Sequence, residues 1–326
     1  MHIYRWDLDK TYLATDFDSF RGLLRSATEP AHAKRNVPGS AALVRALSAN
    51  GQSRIVVVSG SPTQMREVLA EKLRLDGVRY DELFLKDSVA SLRRGRLRAI
   101  RGQFGYKLPL LLRGRVGLGP GVVETLFGDD AEIDALVYSV FADTVAGRVR
   151  PIELSRIMEA SGAYADDIAA ALDALAKIAP AEVVDRVFIH LDRGLPPSRF
   201  AVLGSRVVPV FSWFQAALVL FERGDLDAGS VLEVLREVLD GVNGRPDAVA
   251  NLTQDIVRRG FVGSDAVERV LAQASDRSFD GVLRLAAARV ALLGSARVAR
   301  AGVRPERLDY LRLVGQFGRH VHAELG

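Results

Sequence analysis

Two aspartates separated by one residue follow a short hydrophobic segment of the chain. The segment Ile3–Trp6 reads as a β-strand, and Asp7 and Asp9 come directly after it. Side chains two positions apart on an extended chain point the same way and lie about 7 Å apart. Two carboxylates this close repel each other unless a cation or a shared proton compensates. The pair therefore indicates a metal site or an acid–base couple, although an Asp-rich turn that caps the next element would give the same pattern.

More polar side chains accompany the later hydrophobic segments. These residues are Ser59, Lys107, Asp129, Asp130 and Asp134. A site of several carboxylates, without cysteine or clustered histidine, suits a hard cation with oxygen ligands, most naturally Mg²⁺. A lysine and a hydroxyl in the same cavity suit a phosphoryl group, and a carboxylate can itself attack phosphorus to form an aspartyl-phosphate. The residue types therefore point to phosphoryl transfer.

The segments that carry these side chains predict the strands of a parallel sheet. They start at residue 3, at residue 54 and at residue 122. A weaker strand candidate covers 82–87, and a further strand is predicted over 186–191. Continuous β-branched runs such as Ile55–Val58 suit strands that are buried on both faces. Helical spacing separates the strands. The alternation predicts a doubly wound α/β sheet that binds its ligands at the carboxyl ends of the strands.

Helical patterns dominate the rest of the chain. Residues 151–181 predict an insertion of two helices, and no strand pattern follows Asp225. A chain of 326 residues is long enough for two domains of ordinary size. We therefore expect an α/β catalytic domain over residues 1–225 and an all-α domain over residues 226–326.

The composition narrows the expected compartment and partners. The net charge of +4 is too small to indicate nucleic-acid binding by itself, and the absence of cysteine excludes disulfides and thiolate metal sites. No basic segment followed by an apolar one marks a secretion signal. No uncharged apolar run reaches the roughly 20 residues that cross a bilayer. We therefore expect a cytoplasmic protein.

The motifs, in this order, resemble those of the haloacid dehalogenase (HAD) superfamily of phosphohydrolases. The four matching stretches are Asp7-Leu8-Asp9-Lys10-Thr11, Ser59 after a strand, Lys107, and Gly128-Asp129-Asp130 with Asp134. The resemblance covers about residues 1–225. It implies a Rossmann-like sheet and Mg²⁺-dependent phosphatase chemistry, and the short segment between the first two motifs implies a minimal cap.

Within the superfamily, the chain looks most like the actin-patch-associated phosphatidate phosphatase catalytic domain. The stretch Ser59-Gly60-Ser61-Pro62 is similar to the Ser-Asn-Ser-Pro of that group, and the residues from Gly128 to Tyr138 are similar to its last motif. The chain departs from the group at Gly60, where the group has asparagine, and at Asp130, where it has serine. The resemblance implies a phosphorylated small molecule or a lipid headgroup as the substrate.

The resemblance also implies a role for each catalytic residue. Asp7 would attack phosphorus, and Asp9 would act as the general acid and then as the general base. Ser59 and Gly60 would bind a phosphoryl oxygen. Lys107 would balance the negative charge of the nucleophile and of the phosphate.

A metal shell follows from the same resemblance. Asp7, Asp129 and the backbone carbonyl of Asp9 would hold Mg²⁺. Asp134 would complete or orient the shell, and Asp130 is the less favoured candidate for that role.

Two other functions fit the same residues. A catalytically idle HAD-like domain could serve as a binding or scaffolding module through residues 226–326, although a degenerate copy would usually lose Asp7, Asp9, Lys107 or Asp129. A phosphotransferase would pass the phosphoryl group to an acceptor other than water.

Two weaker signals lie outside the four motifs. The arginine-rich stretch 93–101 could contact an anionic substrate or the surface of a membrane, although a solvated face is the simpler interpretation. His190 and Asp192 follow the fifth strand and could line the pocket, although a structural histidine is the simpler interpretation.

Overall fold

The protein forms one six-stranded parallel sheet. The structure is a computed structural model and describes residues 1–15, 29–49, 51–86, 99–131, 133–241, 245–293 and 307–323. The strands are β1 (His2–Trp6), β2 (Ser53–Pro62), β3 (Glu82–Lys86), β4 (Val123–Asp129), β5 (Val184–His190) and β6 (Val207–Val210). Their order across the sheet is β3-β2-β1-β4-β5-β6. The chain builds outward from β1 to β3, returns to the other side of β1 with β4, and builds outward again. The predicted α/β class with a doubly wound, Rossmann-like sheet is therefore confirmed.

Helices cover both faces of the sheet. They are α1 (Ser40–Ala49), α2 (Arg66–Leu75), α3 (Ala99–Arg113), α4 (Asp134–Val145), α5 (Pro151–Ala160), α6 (Ala165–Leu175), α7 (Trp213–Arg223), α8 (Ala228–Gly241), α9 (Pro246–Arg258), α10 (Ala266–Gln273), α11 (Asp280–Ala291) and α12 (Tyr310–Ala323). Within the ranges described, no helix combines the length and the hydrophobicity that crossing a membrane requires.

Alternate residues of each strand pack on opposite faces of the sheet, as the two-residue period of a strand requires. Tyr4 and Trp6 of β1 belong to one apolar cluster with helices α1, α2 and α7–α11. Leu126 of β4 and Val187 of β5 belong to a second cluster with helices α3–α6 and α12. The sheet is thus the middle layer, buried on both faces, which is why its central strands read as nearly continuous apolar runs.

The described helices after residue 226 pack on both layers. Arg45 of α1 donates a hydrogen bond to Glu237 of α8 at 2.7 Å. On the other face, the Tyr310 hydroxyl of α12 donates to Asp143 of α4 at 2.7 Å. The division into domains at 1–225 and 226–326 stays a prediction.

The sequence analysis missed strand β6. This strand has only four residues, and one of them is Pro209, which has no N–H to donate to a sheet. The structure places β6 at the edge of the sheet, where a proline is tolerated because one side needs no partner strand. Arg259 donates to the Pro209 carbonyl at 2.7 Å and covers part of this edge.

Candidate active site

Two of the predicted site residues, Asp7 and Asp129, lie at the switch point of the sheet, between β1 and β4. In a doubly wound sheet a crevice opens where the direction of winding reverses, at the carboxyl ends of the strands. Asp7 follows β1, and its N–H donates to the Phe127 carbonyl of β4 at 2.9 Å. Asp129 is the last residue of β4. The topology therefore brings these two carboxylates to the crevice from neighbouring strands.

Three buried carboxylates form a cluster that could hold a metal ion. Asp7, Asp129 and Asp134 each offer an oxygen, and these oxygens lie within 4.8 Å of one another. Carboxylate oxygens are the ligands that hard divalent cations prefer, and oxygens on opposite sides of Mg²⁺ lie about 4.2 Å apart. The donor set therefore fits a hard cation after small side-chain adjustments.

Lys107 lies within this cluster and is fully buried. Its Nζ is 2.9 Å from Oδ1 of Asp7 and 2.6 Å from Oδ1 of Asp134. The lysine comes from α3, on the face that also carries the buried Phe104 and Leu111. Residues three and four apart share one side of a helix, so Lys107 is carried into the core with its apolar neighbours.

The close approach of Asp134 requires a glycine at the end of β4. Asp134 begins helix α4, where the helix dipole favours a negative charge. A Cβ atom on Gly128 would lie 2.5 Å from Oδ2 of Asp134 and 2.9 Å from Cε2 of Tyr138. Both distances are too short for real contacts, so only glycine leaves room for Asp134 here.

Asp9 lies apart from the three-carboxylate cluster and is bound by two serines. Its Oδ2 accepts from the hydroxyl of Ser59 at 3.2 Å and from the hydroxyl of Ser61 at 2.9 Å. The pairing of β2 with β3 shifts register between Ser59 and Pro62, which leaves Gly60 and Ser61 outside the regular ladder. Such bulges re-aim side chains at the ends of strands. Ser59, predicted to contact phosphate, thus contacts Asp9 in this structure.

The turn after Asp9 is held from several sides. Lys10 has a positive φ of 59°, which is uncommon outside glycine and indicates a tightly constrained turn. The hydroxyl of Thr11 donates to Asp129 at 3.3 Å, and the indole N–H of Trp213 donates to the Thr11 carbonyl at 3.0 Å.

His190 Nδ1 lies 3.1 Å from the Lys10 carbonyl. A carbonyl only accepts, so Nδ1 carries a proton. Burial lowers the pKa of His190, which favours the neutral ring, and the bond to Lys10 opposes that shift.

Asp130 has a different environment from Asp129 and Asp134. Its carboxylate accepts the backbone N–H groups of Arg193 at 2.8 Å and of Leu195 at 3.1 Å, and so holds the loop after β5. Burial raises the pKa of Asp130, and the two N–H donors oppose that shift. The carboxylate of Asp130 therefore holds the loop after β5, and Asp134 belongs to the three-carboxylate cluster that could hold a metal ion.

Further cations surround the site. Lys34 is buried, and burial lowers the pKa of its ammonium group, while the negative charges of Glu29 and Asp9 oppose that shift. Lys10 Nζ lies 3.7 Å from Asp192. Of the arginine-rich stretch 93–101, residues 93–98 lie outside the described part of the chain, and the side chains of 99–101 are not described.

Three residues in contact with the site were not among the predicted site residues. Ser61 and Thr11 appeared only as parts of motifs, and Lys34 was not considered. Ser61 follows Ser59 by two residues, but the register shift between Ser59 and Pro62 takes Ser61 out of the regular ladder, so the two-residue period of a strand does not fix its position. Lys34 lies in an irregular segment, Pro30 to Lys34 with one short 3₁₀ turn, that carries no periodic signal.

Comparisons with protein-family models, with curated proteins and with solved structures found no match to this chain.

Proposed function

We propose that the protein is a Mg²⁺-dependent phosphohydrolase of the HAD type, which cleaves a phosphomonoester through an aspartyl-phosphate. The observation that carries this proposal is the burial of Lys107 among Asp7, Asp129 and Asp134. Three ionised carboxylates and one ammonium group leave two net negative charges. Buried charge of this kind is costly unless it is compensated, and one divalent cation compensates it.

The proposed metal shell consists of Asp7, Asp129 and Asp134. Mg²⁺ bound there would shield the charge of a phosphoryl group and so let a carboxylate approach it. Asp9 contributes no carboxylate oxygen to this cluster, and only its backbone carbonyl remains a candidate ligand. Asp129 is oriented by the N–H of Ala131, which donates to its Oδ1 at 2.7 Å.

The proposed reaction has two steps. A carboxylate oxygen of Asp7 forms a bond to phosphorus while the bond from phosphorus to the alcohol oxygen breaks, and Asp9 gives its proton to that oxygen. Asp9 then takes a proton from water, whose oxygen attacks phosphorus, and the bond between Asp7 and phosphorus breaks. Phosphate leaves, and both aspartates return to their starting states.

Ser59 and Ser61 together can donate hydrogen bonds to both Asp9 and the phosphoryl group. A hydroxyl has one proton to donate, so Ser59 can bond either to Asp9 or to a phosphoryl oxygen. Ser61 already donates to the same oxygen of Asp9 at 2.9 Å. When Ser59 turns to the phosphoryl group, Ser61 therefore keeps Asp9 in place.

The proposal extends to the rest of the molecule. The sheet and its minimal cap form the HAD-type catalytic domain, with residues 226–326 as an all-α domain packed beside it. The substrate is a phosphorylated small molecule or a lipid headgroup, with peripheral membrane contact in the second case and no nucleic-acid partner. The compartment is the cytoplasm.

The test is phosphate release from a panel of phosphomonoesters, with Mg²⁺ or with EDTA, by the wild type and by Asp7→Asn. We expect turnover with Mg²⁺, loss in EDTA, and none for the variant, because an amide does not attack phosphorus. Transfer to an added alcohol acceptor instead of water would indicate a phosphotransferase. A folded wild type that binds Mg²⁺ and turns over no ester would support the idle-domain alternative.

A further inference from the structure

A cavity of about 840 Å³ lies next to the proposed active site. His190, the last residue of β5, lines it and pairs with Asp129 of β4 in the register of the sheet. Adjacent strands are about 4.8 Å apart. The cavity therefore begins one strand away from Asp129 and two strands, about 10 Å, from the strand that leads to Asp7.

His190 also connects the cavity to the turn that holds the proposed general acid. Its Nδ1–H bonds to the carbonyl of Lys10, the residue after Asp9. The leaving oxygen of a phosphoester must lie beside Asp9 to receive a proton. An alcohol that extends from that oxygen on the β5 side, past the Lys10 turn, would meet the cavity at His190.

The lining of the cavity is largely apolar and rich in rings. Pro38, Pro197 and Phe211 provide flat apolar surfaces, His190 provides a fourth ring, and Leu252 of α9 lies among them. Phe211 is 40% exposed although it is a large aromatic residue. Ligand sites are typically apolar concave surfaces, where aromatic faces pack against rings of the ligand.

On the α9 side of the cavity, Asp255 and Arg259 are bonded to each other, and Asp255 is also bonded to Gln215. Asn251 and Arg258 of α9 also line the cavity. Asp255 accepts from Arg259 at 2.6 Å and from Gln215 at 3.1 Å. Gln215 also donates to the Leu252 carbonyl and accepts the N–H of Phe211. These bonds tie α9 to the ends of β6 and α7. The exposed surface of the cavity is mainly apolar, and Asp255, Arg259 and Gln215 are engaged with one another, so the lining favours an apolar group over a sugar.

From this geometry we propose that the cavity receives the alcohol part of the phosphoester, and that this alcohol is a bulky apolar ring system. The inference rests on the phosphohydrolase function proposed above. It adds a substrate class to that function, namely the phosphate ester of an aromatic or fused-ring alcohol.

The test compares kcat/KM within two matched pairs of esters, with the full chain and Mg²⁺. Phenyl and 1-naphthyl phosphate share one kind of leaving group, and methyl and hexyl phosphate share another, so each pair differs mainly in apolar size. Glucose 6-phosphate is a bulky polar ester. We expect 1-naphthyl phosphate to exceed phenyl phosphate roughly tenfold, since each buried apolar carbon gains a few-fold in binding. We expect a smaller gain for hexyl over methyl phosphate, because a flexible chain loses more entropy on binding.

Two cavity variants and one control variant locate the effect. Leu252→Trp fills the cavity and should abolish the gain for 1-naphthyl phosphate while turnover of methyl phosphate persists. Leu292→Trp, at a side chain that is 81% exposed, is the matched control and should keep the gain. Phe211→Ala, which removes a partly exposed ring, should reduce the gain without unfolding the protein.

The outcomes separate the two proposals. Turnover of small esters with no preference for 1-naphthyl over phenyl phosphate, or a preference that Leu252→Trp leaves intact, would overturn the cavity assignment and leave the phosphohydrolase standing. Glucose 6-phosphate as the best substrate, or an equal or larger gain for the hexyl pair, would overturn the ring specificity. No turnover of any ester would overturn both.

Discussion

Buried charged residues on or next to strands β1 and β4 form two clusters, one toward each end of the strands. The two clusters differ in their numbers of acidic and basic groups. Near the amino ends, Glu124 of β4 forms salt bridges with Arg5 of β1 and with Arg115. Arg115 also donates to the carbonyls of Gly119 and Val122. At the carboxyl ends, Lys107 lies among the three buried carboxylates of Asp7, Asp129 and Asp134, with its Nζ 2.9 Å from Asp7 and 2.6 Å from Asp134.

The difference separates a structural cluster from a functional one. In the first cluster one carboxylate binds two guanidinium groups, and backbone carbonyls accept further donors of Arg115. The Arg5 guanidinium lies 5.9 Å from the centre of the Phe141 ring, although Nη2 of Arg5 has no hydrogen-bond partner among the described residues. The second cluster, among the described side chains, combines three carboxylates with one lysine and could hold a metal ion. Proteins retain such imbalance where a ligand supplies the missing charge. We therefore expect carboxylate substitutions in the two clusters to have opposite consequences.

The largest expected effect is on activity, from Asp129→Asn. The amide can still accept from Ala131 and can donate to Thr11, so the local bonds survive. Loss of a metal ligand should lower kcat/KM by about 10³-fold or more. In EDTA, the free energy of unfolding should equal or exceed that of the wild type, because one of three repelling charges is gone. Urea unfolding with and without Mg²⁺ checks this, and marked destabilisation in EDTA would contradict it.

Glu124→Gln should show the reverse behaviour. The substitution leaves Arg5 and Arg115 buried without their counter-charge, which costs about 3 kcal/mol of stability. Activity should keep its Mg²⁺ dependence at temperatures where the variant is folded. A variant as stable as the wild type, measured by urea unfolding, would show that this cluster is not structural.

Mg²⁺ itself should stabilise the fold. At a concentration a hundredfold above its dissociation constant, a ligand that binds only the native state adds about 2.7 kcal/mol. Wild type and Glu124→Gln should both gain this increment, and Asp129→Asn should lose most of it. An equal increment in all three proteins would place the cation elsewhere.

Gly128→Ala should reduce activity with a smaller effect on stability. The new Cβ displaces Asp134, and a misplaced ligand should lower kcat/KM roughly tenfold to a hundredfold. Gly121→Ala, in the turn two residues before the same strand, is the matched control, because a Cβ there meets nothing within 4 Å. Equal kinetics for the two variants would remove Asp134 from the site.

The smallest expected effect concerns His2, at the amino end of the sheet. Burial lowers the pKa of His2 from its ordinary 6.5, with Asp225 and Asp185 opposing. A lowered pKa in the folded state gives stability that is present above about pH 6.5 and is lost as the pH falls through the folded value. His2→Gln, which can keep the bond to Thr125, should lose less stability between about pH 7 and pH 5. The ratio of kcat/KM of His2→Gln to that of the wild type should stay constant across the same pH range.

The sequence predicted the strands that carry the site because their signal is local. Buried parallel strands show as β-branched runs, and Asp7, Ser59 and Asp129 follow or end such runs. Strand β6 escaped prediction because four residues with a proline carry too little pattern. A residue such as Pro209 reads as a break unless one knows that the strand lies at an edge.

The contacts between distant residues could not be read from the sequence. Lys107 was proposed from its residue type and from the resemblance, and its position between Asp7 and Asp134 depends on how α3 packs on the sheet. The binding of Asp9 by Ser59 and Ser61 depends on a bulge with no sequence signature of its own. The cavity beside His190 exists only because α9 packs near β6, far from β5 in the sequence.

The central claim, that Asp7 takes up the phosphoryl group, can be tested by trapping the intermediate. The wild type would be mixed with Mg²⁺ and a turned-over ester, quenched with acid within the first turnovers and examined by peptide mass spectrometry. Cleavage after Arg5 and Lys10 isolates both aspartates on one short peptide, and fragmentation separates them. We predict phosphate on Asp7 in the wild type, and more of it in Asp9→Asn, which lacks the base for the second step. Sustained hydrolysis with phosphate on another residue, or on none in both proteins, would contradict the account.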